Sequence, residues 1–255
     1  MDMAEGAQVV GRVAAVLRAV SASMPGGLGS NAVASATGLT RPTAHRILSS
    51  LAADGFVDRD PEGSRWYLGP ELYLMGALAA ERYDITDLAR DSLRALAAET
   101  GESAFLSARR GDESVCLLRE EGSFPIRSFV LHEGIRFPLG VASAGLAMLA
   151  FLPEEQMERY LATADLVPRW GEAHSAEGVR RRIVETRTRG YAVNPGLIVE
   201  GSWGMGAAVF DGSGSPAYAL SITGIESRFS DARRPALGRM LLDEAHALSR
   251  RLGAA

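Results

Sequence analysis

The apolar residues of the first fifty positions recur with a helical period. Between residues 8 and 23 they lie three to four positions apart, and Met24-Pro25-Gly26-Gly27 ends the pattern. A second helix of two turns is predicted over residues 32–37, with Asn31 as its N-cap and Gly38 as its C-terminal stop. The apolar positions of the first helix are Val9, Val13, Val16, Leu17 and Val20.

A third helix is predicted directly after the short turn at Leu39. Thr40 is a suitable N-cap, and Pro42 lies in the first turn, where its missing N–H removes no helical hydrogen bond. The helix ends near Asp54-Gly55. Its apolar stripe, which is expected to face the core, consists of Ala44, Ile47, Leu48 and Leu51.

After residue 55 the apolar period changes from helical to alternating. Phe56 and Val57 precede turn-forming residues at 60–64, and apolar residues return at 66–68, which predicts a hairpin with a loop tip. Helix, short helix, tight turn, amphipathic helix and hairpin follow each other in the order of a winged helix-turn-helix. We therefore expect residues 1–70 to form a winged helix-turn-helix DNA-binding domain.

The remaining sequence predicts a helical connector and a larger mixed domain. A helix leads away from residue 70, and we assign 71–83 to the connector and 84–255 to the second domain. Strands at both ends of that domain enclose central helices, which predicts an α+β fold with a mainly antiparallel sheet. Helices are predicted at 85–100, 143–151, 154–162, 176–189 and 231–252, and strands at 103–108, 114–119, 126–131, 203–210 and 217–223.

Length and composition agree with two folded domains. The chain has 255 residues, 47% of them apolar, but no apolar run approaches the roughly 20 residues that span a bilayer. Asp2 and Glu5 stand where a signal peptide carries basic residues, so a cytoplasmic location and no membrane partner are expected. The single cysteine, Cys116, excludes an internal disulfide and is expected to be buried.

Every basic residue of the chain is an arginine. The 27 basic residues include no lysine, which excludes Schiff-base chemistry and a phosphate-binding loop of the Gly-Lys-Ser type. The net charge of -4 provides no general affinity for nucleic acid, so DNA binding must depend on where the arginines lie. Residues 1–70 contain six arginines and six carboxylates, yet no acidic residue interrupts the third helix before Asp54.

The outward face of the third helix carries groups that can contact DNA. Arg41 and Arg46 can donate two hydrogen bonds to a guanine, and Thr43 can contact a phosphate or a thymine methyl group. Arg59 and Arg65 flank the hairpin tip and are candidates for phosphate or minor-groove contacts. The full outward set on the helix is Arg41, Pro42, Thr43, His45, Arg46 and Ser49.

Three blocks of sequence resemble one known family. Residues 33–48, Val-Ala-Ser-Ala-Thr-Gly-Leu-Thr-Arg-Pro-Thr-Ala-His-Arg-Ile-Leu, strongly resemble the recognition region of the IclR-type transcriptional regulators. Phe137-Pro138-Leu139 followed by residues 142–150 resembles the effector-domain signature of that family. Residues 189–193 and 219–224 do so as well, with the spacing intact over essentially the whole chain.

The resemblance implies a winged-helix domain joined by a helix to a GAF-like mixed α/β effector-binding domain. It implies a homodimer or a dimer of dimers on a partly palindromic double-stranded operator, with two recognition helices about one DNA turn apart. The first helix and the connector are then the expected dimer contacts.

The resemblance also implies a small-molecule effector site around Ser143-Ala144-Gly145. These small residues open a helix after the strand-like residues 137–141, so backbone amides can meet a carboxylate. Asn194 replaces a residue that is often acidic in the family, and Trp203 adds a bulky ring, so we expect a larger or partly aromatic organic acid. The implied effector residues are Phe129, Ser143, Ala144, Asn194, Gly204, Met205, Ser221 and Thr223.

The alternative is a small hydrolase or transferase fused to a DNA-binding module, with Ser143 as nucleophile and His132 or His174 as base. The chain has no Gly-x-Ser-x-Gly elbow, and its four histidines lack metal-ligand spacing. An architectural DNA-binding protein would need a higher arginine density. The run Gly201-x-x-Gly204-x-Gly206 precedes a strand pattern rather than a helix, so no dinucleotide cofactor, and no other cofactor, is expected.

Overall fold

A computed structural model describes residues 3–60, 65–80, 85–126 and 128–254 of the chain. The chain divides into two compact units, Met1–Tyr83 and Asp84–Ala255. Each unit has its own buried core, and the two are described separately below.

The first unit has the element order of a winged helix-turn-helix. Its three strands form an antiparallel sheet in the order β1-β3-β2, and the core lies between this sheet and the first three helices. The elements are α1 (Met3–Ser21), β1 (Leu28–Gly29), α2 (Ser30–Thr37), α3 (Arg41–Ala53), β2 (Val57–Arg59), β3 (Arg65–Leu68) and α4 (Pro70–Ala80).

Local signals define the helix-turn-helix. Gly38 ends α2 in the left-handed conformation with φ of 65°, which costs a glycine little. Thr40 caps α3, because its side-chain oxygen accepts a hydrogen bond from the Thr43 amide at 3.4 Å. Val16, Leu48 and Trp66 are among the buried residues that join α1, α3 and β3 in one core.

The start of α2 differs from the sequence prediction. Asn31 was expected to cap the helix, but α2 begins at Ser30 with Gly29 in the N-cap position and no side-chain hydrogen bond there. The reason is that β1, which the sequence pattern did not predict, pairs with β3 immediately before the helix. The Ser30 hydroxyl instead accepts a hydrogen bond of 2.9 Å from the Trp66 indole.

The second unit is built on a six-stranded antiparallel sheet with the strand order β6-β5-β4-β9-β8-β7. Two 3-10 turns, Glu172–His174 and Glu226–Arg228, complete the unit. The elements are α5 (Ile85–Thr100), β4 (Ser103–Arg110), β5 (Glu113–Glu120), β6 (Arg136–Pro138), α6 (Ser143–Ala150), α7 (Glu154–Thr163), α8 (Val167–Trp170), α9 (Ala176–Arg189), β7 (Ala192–Pro195), β8 (Ser202–Phe210), β9 (Pro216–Ile225) and α10 (Arg234–Ala254).

Helix α6 is buried along its whole length and packs on one face of the sheet. Ala208 and Ala219 belong to its core cluster, whereas their neighbours in sequence project to the other face, as strand pleating requires. Helices α5 and α10 pack on each other and are linked by a hydrogen bond of 2.6 Å from Arg251 to Ser92. The α+β fold with a mainly antiparallel sheet, predicted from the sequence, is confirmed.

A buried ion cluster joins the end of α5 to the chain after β9. Glu102 is 2% exposed, and its Oε1 accepts hydrogen bonds from Arg228 at 2.7 Å and from Arg233 at 2.8 Å. Both arginines also donate to the carbonyl of Thr100. Both guanidinium groups bond to the Glu102 carboxylate and to the Thr100 carbonyl. The cluster therefore connects the segment after α5 with the two segments that carry Arg228 and Arg233.

Three strand predictions in the second unit were wrong or inexact. A strand was expected at 126–131, but the described residues there form no strand, and Arg127 lies outside them. Ser128 instead bonds to Ser202 at 2.6 Å and accepts from the Val130 amide, which competes with strand pairing. The strand-like residues 137–141 contribute only to the short β6, and Asn194 lies in β7, a strand that the sequence pattern did not predict.

Candidate functional site

The outward face of α3 is exposed as the sequence predicted. Ala44, Leu48 and Leu51 are buried against the core, and Ile47 is partly buried beside them. Among the candidate DNA-contacting residues, Thr43 is half-buried because it lies next to its capping partner. The exposed candidates on α3 are Arg41, Pro42, His45, Arg46 and Ser49.

The candidates divide into two groups on either side of α3. Arg41 and His45 line a concave surface of about 600 Å³ together with Arg59 and Arg65 of the hairpin. On the other side, Thr43 and Arg46 line a groove of about 390 Å³ next to α1. The structure therefore brings the two hairpin arginines to the first turn of α3 and places Arg46 apart from them.

Several of these side chains are held in place before any ligand binds. Arg65 donates a hydrogen bond of 2.9 Å to the Gly26 carbonyl, and the Arg59 guanidinium lies 5.6 Å from the centre of the Trp66 ring. His45 lies 3.3 Å from Ser49 through its Nδ1. The hairpin tip, residues 61–64, lies outside the described residues.

The second candidate site is a small cavity at the N-terminus of α6. Its volume is about 20 Å³, which is room for roughly one water molecule. Among the described residues, no charged side chain lines it. The lining residues are Val130, Leu131, Ala142, Ser143, Asn194, Ile198, Ser202, Trp203, Gly204 and Thr223.

The cavity contains four of the eight predicted effector residues: Ser143, Asn194, Gly204 and Thr223. Ser221 is fully buried on the same sheet face, because it pairs with Gly206, which meets Ser143. Ala144 follows Ser143 in the first turn of α6 and is 1% exposed.

Two predicted effector residues lie away from the cavity. Met205 is fully buried, but it follows Gly204 in β8 and so projects to the opposite face of the sheet. Phe129 is 76% exposed, with the Arg119 guanidinium 6.0 Å from its ring centre. Its neighbours Val130 and Leu131 line the cavity instead.

Two glycines allow α6 to lie directly on the sheet. A Cβ on Gly206 would come within 3.0 Å of the Ser143 backbone, and one on Gly204 would lie 3.1 Å from the Ser143 Oγ. Real Cβ atoms rarely make such short contacts, so larger residues would push the start of α6 away. The start of α6 therefore lies against β8 without a side chain between them.

Three buried hydroxyl groups near the cavity have no hydrogen-bond partner among the described residues. They belong to Ser103, Ser221 and Thr223. Ser103 pairs with Thr223 across β4 and β9, so both side chains lie on the sheet face that carries the cavity. Ser103 was not predicted, because its pairing with a residue far along the chain cannot be seen in the sequence.

Both ends of the Asn194 amide group bond to the backbone of the protein. Its Nδ2 donates a hydrogen bond of 2.8 Å to the Val141 carbonyl, and its Oδ1 accepts one of 2.9 Å from the Leu197 amide. These two bonds tie the segment before α6 to the segment that carries Ile198. Asn194 thus acts as a structural tie in this conformation while it also lines the cavity.

The structure does not assemble a catalytic pair at Ser143. The Nδ1 of His174 bonds to the Trp170 carbonyl at 2.7 Å, its Nε2 is buried without a partner, and burial lowers the pKa of His174. His132 contacts the carbonyl of Glu133. Burial also raises the pKa of the Cys116 thiol to about 12, so the thiol stays protonated at neutral pH.

The described part of the chain shows neither a metal-binding cluster nor a membrane-spanning helix. Within it, no three His, Cys, Asp or Glu side chains come together in a group that could hold a metal ion. None of the helices in the described ranges is long and apolar enough to cross a membrane.

Two family models match the chain and together cover both units. The model for the IclR helix-turn-helix domain matches residues 9–61, and the model for the bacterial transcriptional regulator IclR C-terminal domain matches residues 77–250. Fold and sites define a DNA-binding transcription regulator with an effector-binding domain. The chain belongs to the IclR family of bacterial transcriptional regulators.

Individual relatives agree with this assignment. The transcriptional regulator KipR of Bacillus subtilis is 31% identical over 220 residues, which cover 86% of this chain and 87% of KipR. The crystal structure of an IclR regulator from Alicyclobacillus acidocaldarius has a TM-score of 0.78 and 27% identity, covering 94% of this chain and 97% of that one. These relatives are transcription regulators, and none of them supports the hydrolase or transferase alternative.

A second solved structure shows the fold alone. An IclR homologue from Microbacterium hydrocarbonoxydans, complexed with 4-hydroxybenzoate, has a TM-score of 0.77 and 22% identity. The match covers 96% of this chain and 99% of that chain.

Proposed function

We propose that the chain binds a partly palindromic DNA operator through α3 and the β2–β3 hairpin, and that a small molecule bound beside α6 changes this affinity. The observation that carries the DNA half is the exposed face of α3, which has arginines but no carboxylate. Arg46 and Arg41 supply base-edge donors, and Pro42, Thr43, His45 and Ser49 complete the contact face. Arg59 and Arg65 contact phosphates or the minor groove beside it.

The proposed effector is an organic acid, partly aromatic, that binds between the first turn of α6 and the sheet. The amides of Ser143 and Ala144 suit a carboxylate because they lie at a helix N-terminus. Unpartnered hydroxyls of Ser221, Thr223 and Ser103 offer further hydrogen bonds, and Trp203 offers an aromatic wall. The Microbacterium homologue, which holds 4-hydroxybenzoate in its structure, makes that acid a reasonable first probe.

The cavity must open to admit such a molecule. A volume of about 20 Å³ holds roughly one water, whereas ligand pockets commonly measure about 300 Å³ or more. Within the proposed site, Gly204 allows a close approach of the ligand to the backbone, and Asn194 ties two of the walls together. Phe129 and Met205 take part only if opening moves them toward the ligand.

We further propose that the protein acts in the cytoplasm as a homodimer or a dimer of dimers. In the first unit α1 exposes Val9 and Val10, and α4 exposes Tyr73, Leu74 and Leu78. Exposed apolar side chains concentrated on two helices are typical of protein contacts. The connector, 71–83, contains most of α4 and in this proposal both dimerises and links the two domains.

The test of the DNA half is selection from a library of random double-stranded DNA. The wild-type chain is expected to enrich a partly palindromic motif whose half-sites lie about 34 Å apart, one helical turn. Enrichment of no motif by a folded, dimeric preparation would refute the proposal. A thermal-shift screen of aromatic and aliphatic acids then tests the effector half, since a ligand at 100 times its Kd stabilises by about 2.7 kcal/mol.

A further inference from the structure

The segment that leads into α6 is held by side chains from three separate elements. The carbonyls of Leu139, Gly140 and Val141, three consecutive residues, each accept a hydrogen bond from a side chain. The donors are the Tyr160 hydroxyl of α7 at 2.7 Å, the Arg182 guanidinium of α9 at 3.0 Å and the Asn194 amide of β7 at 2.8 Å.

Arg182 is the least expected member of this set. Its Nη2 donates to Gly140 and also, at 3.2 Å, to the carbonyl of Ala173, while its Nε and Nη1 are buried without partners. It forms none of the ion pairs of the described residues, and burial lowers its pKa to about 10. A partly buried cation whose Nε and Nη1 are shielded from water and which has no carboxylate partner is costly, so stability alone gives little reason for one here.

The position of the three carbonyls connects Arg182 to the proposed effector site. Val141 is followed directly by Ala142 and Ser143, which line the cavity, and the Ala142 carbonyl accepts the first hydrogen bond of α6 from Leu146. A rotation of the 139–141 segment therefore moves the first amides of α6. Binding groups must be held within about 0.5 Å of their productive geometry, so the segment needs firm support.

We propose that Arg182 is a positioning residue for the effector site: with Tyr160 and Asn194 it clamps the 139–141 carbonyls and so sets the first turn of α6. Arg182 itself does not touch the effector. The link to effector binding rests on the proposed function, but the clamp can be tested without an effector. The two ideas can thus fail separately.

The test is hydrogen–deuterium exchange of the full chain carrying Arg182→Met, which keeps the apolar stem and removes the donors. Exchange of the first turn of α6, residues 143–146, is expected to rise about tenfold, while exchange of β9 stays at the wild-type rate. The matched control is Arg181→Met, because Arg181 is its neighbour on α9 but is exposed and pairs with Glu177 at 2.7 Å. A uniform rise in all peptides, or none in 143–146, would overturn the clamp.

Tyr160→Phe is a second variant, which keeps the clamp testable if Arg182→Met does not fold. It removes only the hydroxyl that bonds to Leu139, so a smaller rise, about threefold, is expected in the same peptide. Wild-type exchange in Tyr160→Phe would count against the clamp. Titration with 4-hydroxybenzoate then separates the proposals. If the wild type binds this acid, its affinity for the acid is expected to fall about tenfold in Arg182→Met. A wild type that does not bind refutes that effector, and exchange alone then decides the clamp.

Discussion

The recognition surface of the first unit displays four exposed arginines on α3 and the hairpin, whereas the part of the chain that the structure describes brings no charged side chain to the cavity beside α6, which holds roughly one water. The surface is available to a ligand as it stands. The cavity is too small for an organic acid as it stands, and one of its lining residues, Thr223, has a buried hydroxyl without a partner among the described residues. A polyanion can bind an open charged surface directly. A site that must rearrange to admit its ligand couples ligand binding to a conformational change of the protein, and a sensor needs that coupling.

The largest effect is expected from Arg46→Ala on the open surface. A bidentate contact to guanine is worth about 1–3 kcal/mol, and a dimer loses two of them, so specific operator affinity should fall by a factor of about 30 or more. A gel-shift titration on the selected operator measures this, with sedimentation to show that the oligomer persists. Arg94→Ala is the control, because Arg94 is an exposed arginine of the second unit. Unchanged affinity in Arg46→Ala would remove α3 from base recognition.

The next effect concerns the stability of the unit that contains the cavity. Glu102→Ala leaves two partly buried guanidinium groups without their carboxylate, which should destabilise by about 3–5 kcal/mol. Urea unfolding followed by tryptophan fluorescence measures it. Glu99→Ala, an exposed change on α5, should alter stability by less than about 0.5 kcal/mol. Equal midpoints for the two variants would show that the cluster is not structurally important.

A third prediction concerns a bulky side chain placed beside the small cavity at α6. Ala144→Phe places a ring in the buried first turn of α6, so the effector response should be lost while basal operator binding remains. Operator titrations with and without the effector found in the thermal-shift screen provide the measurement. If the effector still shifts operator affinity in this variant, the binding site lies elsewhere.

The fourth prediction separates binding from stability. Thr223→Val removes a buried hydroxyl without a partner, so the unliganded protein should gain about 1 kcal/mol while effector affinity falls. Thr186→Val is the matched contrast, because the buried Thr186 hydroxyl bonds to the Arg182 carbonyl at 2.7 Å. That variant should lose about 1 kcal/mol. Thermal unfolding and ligand titration of both variants decide the point; a destabilised Thr223→Val would mean that its hydroxyl is already satisfied.

The smallest effect is a dependence of stability on pH. Burial lowers the pKa of His174 in the folded protein below its ordinary 6.5, so the unfolded chain binds the proton more readily. The contribution of His174 to the free energy of unfolding is therefore complete above pH 6.5. It is lost as the pH falls below 6.5, at up to about 1.4 kcal/mol per pH unit. His174→Gln should flatten the stability profile between pH 6.5 and 5, whereas the exposed His246→Gln should not. Parallel profiles for wild type and His174→Gln would contradict this.

The two sites also differ in how far the sequence could predict them. The α3 surface depends on neighbours in sequence: Gly38, Thr40 and Pro42 define the helix, and its period defines the exposed face. The cavity depends on pairing between distant strands, which brings Ser103 beside Thr223. The remaining differences from the sequence prediction come from side-chain hydrogen bonds. Ser128 bonds to Ser202 where a strand was expected, and Asn194 bonds to the backbone of Val141 and Leu197. No local pattern reports such bonds.

The small volume of the cavity has a kinetic consequence. When only a small fraction of molecules is open, the apparent Kd equals the intrinsic Kd divided by that fraction, so the protein responds to higher effector concentrations than its contacts alone would suggest. The observed association rate should then level off at the opening rate as effector concentration rises. Because the cavity beside Ser143 has room for roughly one water, the rearrangement of Val130, Ile198 and their neighbours becomes the rate-limiting step of the response.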